Sequence, residues 1–165
     1  MRFSRLRLNG FKSFVYRMEQ EHLEYDLGSE NVLKTLGSVN GSNLTVGQRD
    51  YSLVVIPAEM ENMDSSTLEI LTQYLVNGGK VLSFKMNVLI VDGEESLSVK
   101  DLAEKFSEQW INVQDLKDPR ALKMLNNDEF KLLDKTQNGM LYHQRRVLAD
   151  GEIIFMVNSH KTKSA

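Results

Sequence analysis

Three stretches of this sequence carry side chains that could do chemistry. The first is Ala58-Glu59-Met60-Glu61-Asn62-Met63-Asp64. It follows an apolar run, so Glu59, Glu61 and Asp64 stand where a loop leaves the C-terminal end of a strand. That is where open α/β sheets bind ligands. Carboxylates there suit a cation or a sugar hydroxyl. The plainer alternative is a solvated loop whose acids favour the N-terminus of the next helix.

The second stretch is Tyr142-His143-Gln144-Arg145-Arg146. Strand alternation sets His143 and Arg145 on one face, and Tyr142, Gln144 and Arg146 on the other. Such a cluster suits a partner surface or a carbohydrate, or else an edge strand guarded by charge. The third is Trp110, either a platform for stacking on a sugar or a core residue. It extends the stripe Val99, Leu102, Ala103, Phe106, which favours the core.

Other chemistries lack their residues. The chain has no cysteine, which removes disulfides, thiolate metal sites and thiol nucleophiles. No phosphate-binding glycine loop, HExxH, EF-hand loop or GxSxG elbow occurs. His22, His143 and His160 share no ligand spacing, so neither a metal nor a cofactor is expected. Twenty basic residues among 23 acidic ones leave a net charge of -3 and no basic footprint for nucleic acid. No apolar run approaches the ~20 residues of a membrane helix. The start, MRFSRLRLNGF, lacks the apolar region of a signal peptide. The sequons at Asn40 and Asn43 therefore carry little weight.

The elements that must position these residues follow from pattern. Tyr51 to Pro57 predicts a strand whose Leu53-Val54-Val55-Ile56 core is buried on both faces, a central strand of a parallel sheet. Ser66 with Glu69 forms a capping box for a helix carrying Leu68, Leu71, Tyr74 and Leu75, which Gly78-Gly79 stops. Lys80 to Phe84 is the next strand, completing a βαβ unit. Upstream, Phe11, Phe14, Val15, Met18 and His22 share a helical face. Leu23 to Tyr25 reads as a short strand, Ser29 to Leu36 as a short helix, and Asn40-Gly41 as a tight turn before Leu44-Thr45-Val46. Downstream, Ser98 with Asp101 caps a second helix, and Asp118-Pro119 starts a third. Met140 to Leu148 and Glu152 to Asn158 predict a hairpin around Ala149-Asp150-Gly151, with Ile153 to Val157 continuously apolar.

The run YSLVVIPAEMENMDSSTLEILTQYLVNGGKVLSF resembles a segment of large bacterial glycoside hydrolases of the α-L-rhamnosidase type, family 106. There it belongs to a domain similar to class I glutamine amidotransferases. LEYDLGSENVLKTLGSVNGSNLTVGQRDY, NVLIVDG and LYHQRRVLADGEIIFMVNS agree in the same order, so the resemblance spans most of residues 22 to 159. It implies a non-catalytic accessory domain. The parent's two carboxyl groups would lie in a preceding barrel, and none maps onto this chain. Amidotransferase chemistry needs a cysteine that is absent. Family proteins begin the domain with an apolar strand; here residues 1–21 are an atypical start. They also continue past FMVNS into β-rich modules, which suits a fragment, with 160–165 a frayed tail.

The expectation is one α/β domain over residues 1–165: a three-layer, flavodoxin-like or amidotransferase-like, mostly parallel sheet with a C-terminal β-hairpin. Its expected partners are other domains of the parent hydrolase, with a homo-oligomer or a carbohydrate as further candidates, and no nucleic acid or membrane. The parent family implies a periplasmic or secreted bacterial protein. A carbohydrate-binding module using Glu59, Glu61, Asp64 and Trp110 is the alternative. An independent hydrolase using Glu59, Glu61 and Asp92 ranks last. An accessory domain should expose an apolar patch where its neighbour sits.

Overall fold

The computed structural model describes residues 14–16, 18–19, 23–125 and 141–158. Of the atypical start over residues 1–21 only 14–16, 18 and 19 are among them, and His22 and the frayed tail at 160–165 lie outside. Mixed α/β content is distributed over several small sheets, of which one is parallel.

The parallel sheet forms as the βαβ pattern requires. β4 (Leu53–Ile56) pairs with β6 (Lys80–Phe84), which pairs with β9 (Trp110–Val113), both in parallel. Among the described strands β6 is the middle one and β4 lies beside it at the edge. The burial agrees: Val81 to Phe84 of β6 are all buried, whereas only Ile56 of β4 is.

Alternation divides the sheet's side chains between two apolar clusters. Val54, Ile56, Val81 and Trp110 face α2 (Ser65–Val76) and α3 (Ser98–Lys105), meeting Leu71, Tyr74, Leu75, Val99 and Leu102. On the other face, Val55, Leu82, Phe84 and Val113 meet Ala121 and Met124 of α4 (Pro119–Leu125) together with Phe14 and Met18. The helical residues 14–16 and 18–19 thus contribute to the core, with the Phe14 and Phe84 rings 4.8 Å apart. Each fully buried Val, Leu, Ile, Phe or Met among them stabilises by about 1.5–3 kcal/mol.

Helix α2 ends where the double glycine dictates. Gly78 takes φ +86°, and the amides of Gly78 and Gly79 donate back to Leu75 and Tyr74. Its start differs from the expected capping box. Asp64 is the N-cap residue, its side chain makes no cap bond, and Ser66 lies inside the helix. The free amides are met from elsewhere. Asp64 N–H donates to Glu30 Oε1 (2.8 Å) and Ser65 N–H to Asp92 Oδ1 (2.9 Å). For α3, Leu97 is the N-cap rather than Ser98, and the Ser98 amide donates to the Ser96 hydroxyl. At α4, Asp118 accepts the Arg120 amide ahead of Pro119 as expected.

Two small antiparallel units precede and follow. α1 (Glu30–Leu36) leads into β1 (Gly37–Asn40), β2 (Asn43–Val46) and β3 (Arg49–Tyr51), a meander turning at Gly41 with φ +58°. Leu23 to Tyr25 forms no strand; it is irregular backbone whose Leu23 and Tyr25 pack on the second cluster. At the C-terminus, β10 (Leu141–Leu148) and β11 (Gly151–Asn158) pair over eight residues, from Leu148 opposite Gly151 to Leu141 opposite Asn158. The continuously apolar β11 is not buried. Ile153 to Val157 are exposed by between 42% (Ile154) and 61% (Val157), and none joins either cluster.

Candidate functional site

The acidic loop is built rather than free. After Pro57, Glu59 takes a left-handed φ of +67° and points its side chain to solvent. Asn62–Met63 then forms β5, which pairs in parallel with β7 (Ile90–Val91), itself paired with β8 (Glu94–Glu95). The Glu61 carbonyl accepts the amides of Leu89 and Ile90, and Asn62 Oδ1 accepts that of Gly93. The three acids therefore do not converge. Glu59 is exposed, Glu61 lies on an exposed strand edge, and Asp64 sits at the start of α2.

Glu61 and Glu95 do share the rim of an open depression of about 640 Å³, floored by Leu89, Ile90 and Leu97. Among the described residues no group of three His, Asp or Glu side chains could hold a metal ion. Strand order β4-β6-β9 also runs one way across the sheet, so the described strands contain no switch point of the kind that opens a crevice.

Asp92, a candidate acid of an independent hydrolase, is a structural group. It closes the turn between β7 and β8 with φ +52°, next to Gly93 at +86°, the torsions of a tight hairpin turn. Hydrogen bonds from the Ser65 side chain and amide, with help from Lys34, hold its carboxyl below the usual range. A lowered folded pKa contributes stability above the unfolded value and loses it as pH falls through the folded one. Asp92→Asn keeps the acceptor and the turn but removes the charge. The expected result is a thermal midpoint below wild type at neutral pH, with the gap closing below about pH 4. A gap independent of pH would assign the effect to the turn instead.

Trp110 begins β9 instead of extending a helix. It is 4% exposed, and its indole N–H donates to Ser83 Oγ at 2.9 Å, so no face is available to stack on a sugar. Ser83 Oγ in turn bonds Asn112 Oδ1, which accepts the Met86 amide, and Lys85 N–H reaches the Val113 carbonyl. The indole thus anchors the loop leaving β6.

The basic cluster on β10 divides as alternation requires. His143 and Arg145 turn inward with side chains 4% and 8% exposed, while Tyr142, Gln144 and Arg146 face solvent. Arg145 spans Glu24 with Nε and Nη2 at 3.2 and 3.3 Å, and its Nη1 lies 3.4 Å from Glu152. His143 Nε2 is 3.8 Å from the same Glu24 carboxylate. Nearby, burial and then the hydrogen bond to Glu19 push the Tyr25 hydroxyl pKa up. Of the four candidate interface residues, then, His143 and Arg145 help tether the hairpin to the domain, and Tyr142 and Arg146 remain on the surface.

The feature that candidate-residue reasoning missed is the apolar side of that surface. Directly opposite residues share a face in an antiparallel pair. Val157, Phe155 and Ile153 therefore stand beside Tyr142, Gln144 and Arg146 on the outward side. The signal was present in the sequence as an apolar run on both parities of a strand. Comparison with protein-family models, curated proteins and solved structures gives no match for this chain.

Proposed function

We propose that this chain is a non-catalytic accessory domain of a glycoside hydrolase, whose hairpin seats a neighbouring domain of the same enzyme. The observation that carries the reading is the outward face of β11: Ile153, Phe155 and Val157 in a row, all exposed, on a ribbon tethered from behind by Arg145 and Glu24. An isolated two-stranded hairpin is marginal in water, and an apolar face of this kind marks an interaction surface. The parent's identity rests on the four ordered stretches of resemblance. The same resemblance underlies the finer fold reading, an amidotransferase-like three-layer domain around β4, β6 and β9. Apolar clusters on both faces of that sheet support it.

The carbohydrate-binding alternative loses its aromatic platform with Trp110 in the core. The test is glycosidase activity on aryl glycosides, comparing this chain with a polypeptide that joins it to a catalytic barrel of the resembled family. Turnover is expected only with the barrel present. Turnover by this chain alone would overturn the reading and direct mutagenesis to Glu59, Glu61 and Glu95.

A further inference from the structure

The outer edge of β11 is a separate feature from its apolar face, and it makes a different demand. A two-residue connection, Ala149-Asp150, closes the hairpin with Leu148 opposite Gly151. In such hairpins the closing pair exchanges both backbone hydrogen bonds, and hydrogen-bonded pairs then alternate along the ribbon. Ile153, Phe155 and Val157 consequently direct their amides and carbonyls to β10. Those of Ile154 and Met156 point the other way, along an edge that pairs with no strand among the described residues. Natural edge strands are usually blunted by proline, lysine, a bulge or shortness. β11 is eight residues long, has neither proline nor lysine, and keeps an unbroken register.

We propose that this edge pairs with β11 of a second copy of the chain, antiparallel, about a two-fold axis at Phe155. The strand is complementary to itself in that register. Ile153 falls opposite Val157 and Ile154 opposite Met156, and Phe155 meets its own symmetry mate. The single charge, Glu152, falls opposite Asn158 instead of opposite the other Glu152. The backbone parity also fits. Ile154 and Met156, whose polar groups face outward, become reciprocal hydrogen-bonded pairs, while Phe155 becomes the non-hydrogen-bonded pair on the axis. Shifting the centre to Ile154 keeps the parity but sets Glu152 against Met156, and centring on Glu152 opposes like charges. A two-fold pairing is closed, so it ends at two copies and builds no fibre. It joins β10-β11 to its mate as a four-stranded sheet, beyond the two-stranded minimum that is marginal alone. An edge of this size predicts a dimer that forms with concentration, not an obligate one.

The pairing does not depend on the hydrolase reading, and its test is independent of activity. Sedimentation of the full chain from ~1 to ~100 µM, a range that brackets micromolar affinities, should show the mass rising from one chain toward two. Because the chain has no cysteine, one introduced thiol reports register. Phe155→Cys places two thiols across a non-hydrogen-bonded pair, within disulfide reach. It is expected to give a covalent dimer under mild oxidation, many-fold faster than Ile153→Cys, whose thiols stand apart. Ile154→Pro removes an outward amide without removing a hairpin bond, and is expected to leave a folded monomer. A wild-type chain that stays monomeric throughout, equal linking of the two cysteine variants, or an Ile154→Pro chain that still dimerises would each overturn the proposal. None of these results bears on the activity comparison, which tests the accessory role alone.

Discussion

Trp110→Ala is expected to lower stability by about 3–5 kcal/mol, the range for emptying a large buried aromatic site. Domains hold only about 5–15 kcal/mol in total, so this approaches unfolding for a chain of ordinary stability. The cost has two parts. The indole is buried against α2, α3 and β6 in the larger cluster, so its removal leaves a cavity. Its N–H also satisfies Ser83 Oγ, itself wholly buried. Trp110→Phe separates the parts: it keeps most of the apolar volume and removes the donor, for an expected cost of about 1–3 kcal/mol. Chemical denaturation of both variants checks the order. A Trp110→Ala chain as stable as wild type would mean the residue is not in the core and would reopen the sugar-stacking role.

The double glycine supplies the second large effect, because its two members are needed for different reasons. Gly79 has an ordinary φ, but a Cβ there would lie 2.3–2.5 Å from three ring atoms of Tyr74. That ring cannot yield. Tyr74 is 0% exposed, and its hydroxyl reaches the Ser52 and Lys80 carbonyls at 2.9 and 3.1 Å, tying α2 to the starts of β4 and β6. Gly79→Ala is therefore expected to cost about 3 kcal/mol, the upper end for forcing atoms into a packed core. Gly78→Ala meets only Ser42 Cβ at 3.8 Å and pays for conformation alone, at about 1–2 kcal/mol. Urea unfolding of the pair should rank Gly79→Ala clearly below Gly78→Ala. The reverse order would mean that the φ of +86°, not the ring, makes glycine necessary here.

The parts of the fold legible in the sequence are those whose signals are local. Leu53 to Ile56, the Leu71-Tyr74-Leu75 stripe, Gly78-Gly79 and Lys80 to Phe84 each declare an element within a few residues, and the βαβ unit follows. Asp118-Pro119 and the C-terminal hairpin were legible for the same reason. What escaped depends on partners far along the chain. The strands Asn62–Met63, Ile90–Val91 and Glu94–Glu95 are two residues each, too short to show a period. Ser66 and Glu69 fit a capping box, yet Glu30 and Asp92 do the capping across 34 and 27 residues. Trp110 continued a helical stripe arithmetically, but the helix stops at Lys105 and the indole reaches the same cluster from a strand. The candidate site was legible in position and not in arrangement. Glu59, Glu61 and Asp64 do follow a parallel strand, but β5 sets Asp64 apart from the two exposed glutamates. In β11, an apolar run shows that a strand must be covered and is silent about what covers it.

The ends of α2 carry one further consequence. Its first amides are held by carboxylates of α1 and of the turn after β7, and beside its last turn the Gln109 amide donates to the Leu75 carbonyl and, just past the helix, to that of Gly79, at 2.7 and 3.0 Å. A helix capped by its own neighbours frays from its termini while the rest of a protein stays intact. Here the first turn is closed by groups that arrive only when distant segments have docked, whereas the last turn keeps its own bonds from the Gly78 and Gly79 amides and gains Gln109 in addition. α2 accordingly opens as part of a larger cooperative unit, one that includes α1, the β7-β8 turn and the approach to β9. The Asp64 and Ser65 amides should therefore exchange with solvent on the slow timescale of that unit, not on the fast timescale of a helix end.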